Sequence, residues 1–270
     1  MNARRVVALL SKELAELMRN RGALLPVVAV AFTSMILPFF IGLAVPGMTG
    51  ESLSSDSDLV QALAGAADEL PGAMALSDEA AVQALVFHRF LTLLLLVPVT
   101  GAITFAGHSL VGEKLGRSLE PLLATPITTL ELLVGKVAGA LVPSLVVMLL
   151  TFGVYLAGVA LLAEPGVAWV LVTPRTLLLV LGVGPLASLV ALQVGVLVSA
   201  RANDPRTAQQ FGALLILPLT ALFLGQMTGI VVLTIHLMLV VMAGLTAIWG
   251  VLLAVGITVF DRETILTRWR

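Results

Sequence analysis

Side chains able to do chemistry are few and scattered along this 270-residue chain. There is no cysteine, which excludes disulfides and thiolate metal sites. The three histidines, His88, His108 and His236, stand in separate segments. Gly107-His-Ser109 begins like a nucleophile elbow, but Val111 stands where G-x-S-x-G needs its second glycine. Gly135-Lys136 is followed by Val137 rather than Ser or Thr and lacks the upstream glycine of a phosphate-binding loop. No H-E-x-x-H occurs. His236 with Met227, Met238 and Met242 offers soft metal ligands, although methionine is also ordinary packing material. No catalytic constellation for a membrane-embedded enzyme emerges.

The most informative polar run is 112–136, GEKLGRSLEPLLATPITTLELLVGK, which separates two strongly apolar blocks. It carries Lys114, Arg117 and Lys136 against Glu113, Glu120 and Glu131. Leu119, Leu122 and Leu123 put an apolar patch on an otherwise polar stretch, the kind of anchor that carries energy in an interface. Pro126 disfavours helix at Thr125 and divides the run in two. Thr128 and Glu131 have capping-box spacing, so a new helix is expected from Thr129.

The elements around this run are set by composition. The chain is 59% hydrophobic and 11% charged, with a mean hydropathy of +1.08. A soluble domain is about 45–50% apolar and about 25% charged. The apolar blocks are too long for barrel strands and do not alternate, so the expected class is an all-α integral membrane protein. The first apolar block is too long for a cleavable signal peptide and lacks its small-residue cleavage site. One transmembrane domain, 1–270, with six transmembrane helices is predicted.

Within 1–22, a helical wheel puts Val6, Val7, Leu10, Leu14, Leu17 and Met18 on one side. Arg4, Arg5, Lys12, Glu13, Glu16 and Arg19 fall on the other. That is an amphipathic interfacial helix with a basic face. Spans are expected at 24–45, 78–111, 137–162 and 176–200, with two more in 207–260. Kinks are expected at Pro38 and Pro143 and a weak point at Pro98 and Gly101. Residues 46–84 hold seven acids and no Lys or Arg, and read as an acidic external loop, partly helical, with Ser77 starting the second span's helix. A break near 225–236 is expected, either a tight turn or short re-entrant helices.

Charge sets the orientation. Of the fifteen Lys and Arg, all but Arg89 and Arg175 fall in segments that six spans place on one side. Positive charge marks the cytoplasmic side, so both termini are expected in the cytoplasm. The span interiors hold no acid or base expected deep in the bilayer, where ion-coupled carriers commonly need one. Gln193, Gln209, Gln210 and Gln226 are the remaining polar groups for a pathway or for helix–helix hydrogen bonds.

Glu113-Lys-Leu-Gly116, then Leu119-Glu-Pro-Leu-Leu-Ala-Thr-Pro126, then Gly135-Lys136 resemble the E-x-x-x-G-T-L-E-x-L-L-A-T-P…G-K pattern of type-2 ABC exporter permeases. Arg117-Ser118 stands where Gly-Thr is usual, Gly116 falls one place early, and Pro121 interrupts the middle. The amphipathic start, the six spans and the closing Phe-Asp-Arg-Glu-Thr extend the likeness loosely over the chain. The resemblance implies a cytoplasmic coupling helix in 112–136 and a multi-pass protein of the cell (inner or plasma) membrane. It further implies the permease subunit of an ATP-driven exporter, working as a dimer with a second copy of a permease. Two copies of a separate ABC ATPase subunit would bind ATP and Mg, with no cofactor on this chain, no enzymatic activity of its own and no nucleic-acid partner. Glu113, Arg117, Leu119, Glu120, Leu122 and Leu123, helped by Arg201 and Arg206, are the expected partner-binding residues. A self-sufficient secondary carrier or channel is the alternative.

Overall fold

The computed structural model describes residues 3–115, 129–201, 210, 214 and 216–259. The architecture is all-α, with no strand among the described residues. Five helical stretches are long and apolar enough to cross a membrane: Arg21–Thr49, Asp78–His108, Val134–Leu162, Pro174–Val198 and Ile235–Gly256. The sixth expected span is represented by the shorter apolar helix Ile216–Met227. Its twelve residues span only about 18 Å.

Numbered in chain order, the α-helices are α1 (Ala3–Arg19), α2 (Arg21–Phe39), α3 (Val45–Thr49), α4 (Ser57–Gly65), α5 (Asp78–Phe90) and α6 (Leu96–Leu115). They continue as α7 (Thr129–Leu162), α8 (Val167–Leu171), α9 (Pro174–Leu178), α10 (Gly184–Arg201), α11 (Ile216–Met227) and α12 (Ile235–Val259). The described part of α7 opens at Thr129, and Thr128, the expected cap, lies outside the described residues. Ser77 caps α5 by accepting from the Ala80 N–H at 3.4 Å.

The helix irregularities have one physical cause. Three spans contain a turn that is not α-helical: a π turn at Phe40–Ala44, a 3₁₀ turn at Leu91–Leu95 and a π turn at Leu179–Val183. Each lies just before a proline, Pro46, Pro98 and Pro185 respectively. A proline has no N–H for the carbonyl four residues back, and its ring crowds that carbonyl. Those carbonyls belong to Gly42, Leu94 and Leu181, one in the middle of each irregular turn or beside it. The weak point expected at Pro98 and Gly101 is therefore realised one turn earlier. Within the 3₁₀ turn the Leu93 carbonyl, next to the freed one, lies 3.3 Å from the Ser34 hydroxyl of α2, which is shared with the Val30 carbonyl at 2.8 Å. Through Pro38 and Pro143 the α-helix runs on.

The second span is the hub. Its most apolar stretch is 94% buried, whereas that of α12 is 6% buried. α6 packs along α10, α7 and α2. Phe87 meets Phe39 and Tyr155 with ring centroids 5.2 and 6.1 Å apart, and the Tyr155 hydroxyl donates to the Phe87 carbonyl at 2.8 Å. Where α6 crosses α7, a Cβ on Gly101 would stand 2.8 Å from Ser144 Oγ and 3.3 Å from Ser144 Cα. Small residues let membrane helices approach this closely. Gly101→Ala is expected to push the two spans apart at a cost of about 1–3 kcal/mol. Gly153→Ala, where a Cβ meets nothing within 4 Å, should be silent. Thermal unfolding of both variants in detergent checks the pair, and equal melting temperatures would overturn the assignment.

Candidate functional site

Polar groups collect at the two ends of the bundle. At the first end lie the start of α7 and the ends of α6 and α10. Glu113 lies near the end of the described part of α6, and Arg201 ends the described part of α10. Gly184 of α10 lies by Leu95, at the head of α6, and Gly195 by Ile103 and Ala106, so the two helices run side by side in the same direction and both positions come to one end. Arg117, Leu119, Glu120, Leu122, Leu123 and Arg206 lie outside the described residues.

The same end holds α1, packed against α7. Lys136 Nζ lies 3.4 Å from Glu13 Oε1, with the two residues only 7% and 6% exposed. A Cβ on Gly139 would stand 2.7 Å from the Glu13 Cβ, so a glycine is required for α1 to come this close. The amphipathic helix is present as read, but part of its polar face is spent on a protein contact. Glu13 turns inward to meet a charge on α7. Asn20 joins α1 to α2: its Oδ1 accepts from the Ala23 N–H at 3.2 Å, and its amide nitrogen sits 3.3 Å from His108 Nδ1. The described end of the run, 129–136, thus enters the bundle braced against α1.

At the other end is a buried cluster that spacing alone does not disclose. Glu69, from the acidic loop, is 2% exposed; Arg89 is 6% and His88 8% exposed. Glu69 Oε1 lies 3.5 Å from Arg89 Nη2, and its Oε2 lies 3.7 Å from His88 Nε2. Neither carboxylate oxygen has a hydrogen bond. Arg89 Nη1 donates to the Gln226 carbonyl at 2.6 Å, and the Thr92 hydroxyl donates to Gln226 Oε1. Burial pushes the Glu69 carboxyl above its ordinary range, against the pull of the Arg89 and Arg175 guanidiniums. Its ionised form is therefore the costly one in the folded state. The stability it contributes is complete below the ordinary carboxyl pKa and is lost as pH rises through the raised value.

Beside the cluster is a cavity of about 10 Å³, lined by His88, Arg175, Thr176 and Gln226 with Leu179, Leu233 and Met238. A single water needs roughly this much room, so the space is too small for an organic cargo. His88 Nδ1 and Arg175 Nη1 have no hydrogen-bond partner there. Among the described residues no group of three His, Asp or Glu could hold a metal, and Met238 is part of the apolar core instead.

The acidic-end cluster was partly legible. Arg89 and Arg175 are the only bases predicted at the outer side, facing a loop of acids alone, so pairing was to be expected. That Glu69 is the acid chosen depends on the turn after α4, which periodicity does not fix. Gln226 is one of the four glutamines singled out, and it takes the helix–helix bonding role.

Neither curated proteins nor solved structures give a match. The profile of the family described as ABC-2 family transporter protein matches residues 7–248. The match runs from within α1 into the last long span, and with this helical bundle it makes the chain a member of the ABC-2 transporter family.

Proposed function

We propose that this chain is the permease subunit of an ATP-driven ABC exporter, working as a dimer and driven by two separate ATPase subunits. The family profile across 7–248 carries the reading as far as a membrane-spanning ABC transporter subunit. The coupling role rests on the 112–136 pattern, with Glu113 and Arg201 at the same end of the bundle. In this reading Leu119, Leu122 and Leu123 seat in a groove of the ATPase, Glu120 pairs with a base there, and Glu113 steadies the loop. Arg117, Arg201 and Arg206 add contacts. ATP and Mg bind on the partner, and its closure rocks the spans. The Glu13–Lys136 pair ties the interfacial helix to the same moving end. The nearly bare α12 leaves an apolar face for lipid and for the second permease copy, as closed two-fold symmetry favours.

The orientation follows from the basic asymmetry: both termini and 112–136 in the cytoplasm, 46–84 outside the cell membrane. Cysteines placed singly in this cysteine-free chain test it. Ser55→Cys is expected to react with an impermeant maleimide on intact cells, and Ser118→Cys only after permeabilisation. The reverse pattern would sink the topology. Transport by the purified chain in vesicles lacking any ATPase would favour the self-sufficient carrier instead.

A further inference from the structure

We propose that residues 66–76 form a lid over the acidic end of the bundle, and that lifting it carries Glu69 from its buried site into water. The proposal uses the orientation above only to call that end external. The lid is a compact turn with an apolar underside: Ala66, Leu70 and Ala73 are buried against Ala81 and Leu85 of α5. Its outer side, including Asp68 and Met74, is exposed. Only five buried residues make up this cluster, joined to the main core through the partly buried Leu76 and Val170, and segments with small apolar footprints open at low cost.

The polar contact beneath the lid points the same way. A buried carboxylate is normally hydrogen-bonded, and an orphaned one marks strain or function. Both Glu69 oxygens are orphaned: the Arg89 guanidinium stands 3.5 Å away and the His88 ring 3.7 Å away. Arg89 is held independently by the Gln226 carbonyl, and Arg175 comes from another span, so these cations stay in place when the lid leaves. Opening rehydrates a carboxylate whose desolvation is poorly compensated, at the cost of one small apolar contact. The closed lid covers His88 and Arg89, and through His88 the water-sized cavity that His88 and Arg175 border. Lifting the lid thus gives water a route between the second and fourth spans and α11.

A disulfide can lock it. An ideal Cβ on Gly72 lies 3.8 Å from the Val170 Cβ, within the range for a disulfide, about 3.5–4.5 Å. The full chain carrying Gly72→Cys and Val170→Cys is placed in nanodiscs, oxidised with diamide or kept reduced, and followed by amide hydrogen exchange. In the reduced form the amides of 66–76 and the first turns of α5 are expected to exchange at least tenfold faster than in the oxidised form, with 134–162 unchanged. Equal rates in the two forms would overturn the lid. Glu69→Gln, without cysteines, gives an independent reading that also covers a misfolded double variant. A neutral amide gains less from hydration, so exchange over the same amides is expected to slow several-fold. Unchanged or faster exchange would overturn the part assigned to the carboxylate. Neither measurement needs an ATPase or a cargo, so their outcome is separable from the exporter reading.

Discussion

Replacing Leu122 and Leu123 together with serine is expected to leave insertion and dimerisation intact while the ATPase no longer co-purifies, or hydrolyses ATP without transport. Both leucines sit on the polar run between the second and third long spans, so neither change touches a membrane-crossing segment. An apolar anchor seated in a partner's groove costs about 2 kcal/mol or more when truncated. Two such losses weaken association on the order of a thousandfold, enough to abolish pull-down at micromolar concentrations. Ser118→Ala in the same run, with no apolar anchor removed, is the control. Full partner binding and full transport in the double variant would refute the coupling assignment. The leucines would then belong against lipid or the permease's own helices.

The contrast between the two polar ends explains what the sequence can disclose. The cap at Ser77 and the amphipathic α1 are legible because each is set by residues within one or two turns. The positions of the irregular turns are nearly legible: a proline acts on the carbonyl four residues earlier, so the break belongs before Pro46, Pro98 and Pro185 rather than at them. Pro38 and Pro143 show that the rule is permissive, since the surrounding helix continues. The Glu69–Arg89–Gln226 chain is of another kind. Its members are separated by 20 and 137 positions, and only packing brings them together. Likewise, the wheel places Glu13 on the polar face of α1, but Gly139 and Lys136, on a helix beginning more than a hundred residues later, turn that face inward.

The second large effect is expected at Arg89. Its guanidinium faces Glu69 and donates to the Gln226 carbonyl, so it ties the acidic loop and α11 to the second span. Arg89→Ala leaves a buried carboxylate without its ion-pair partner and takes from the Gln226 carbonyl one of two donors, the Gly229 N–H at 3.1 Å remaining. Removing one partner of a buried ion pair costs about 3–5 kcal/mol, and the lost charge-assisted bond to Gln226 adds about 1.5–3 kcal/mol. A large fall in melting temperature in detergent is the expected reading. The diagnostic comparison is Glu69→Leu combined with Arg89→Met, which replaces both charges with apolar groups of similar length. A buried pair removed as a unit is often neutral or stabilising, so the double variant should recover most of the loss while still missing the bond to Gln226. A double variant no more stable than Arg89→Ala would mean that the bond to Gln226, rather than the uncompensated charge on Glu69, governs this end of the bundle. The remaining deficit would then be assigned to the pinning of α11 against the second span.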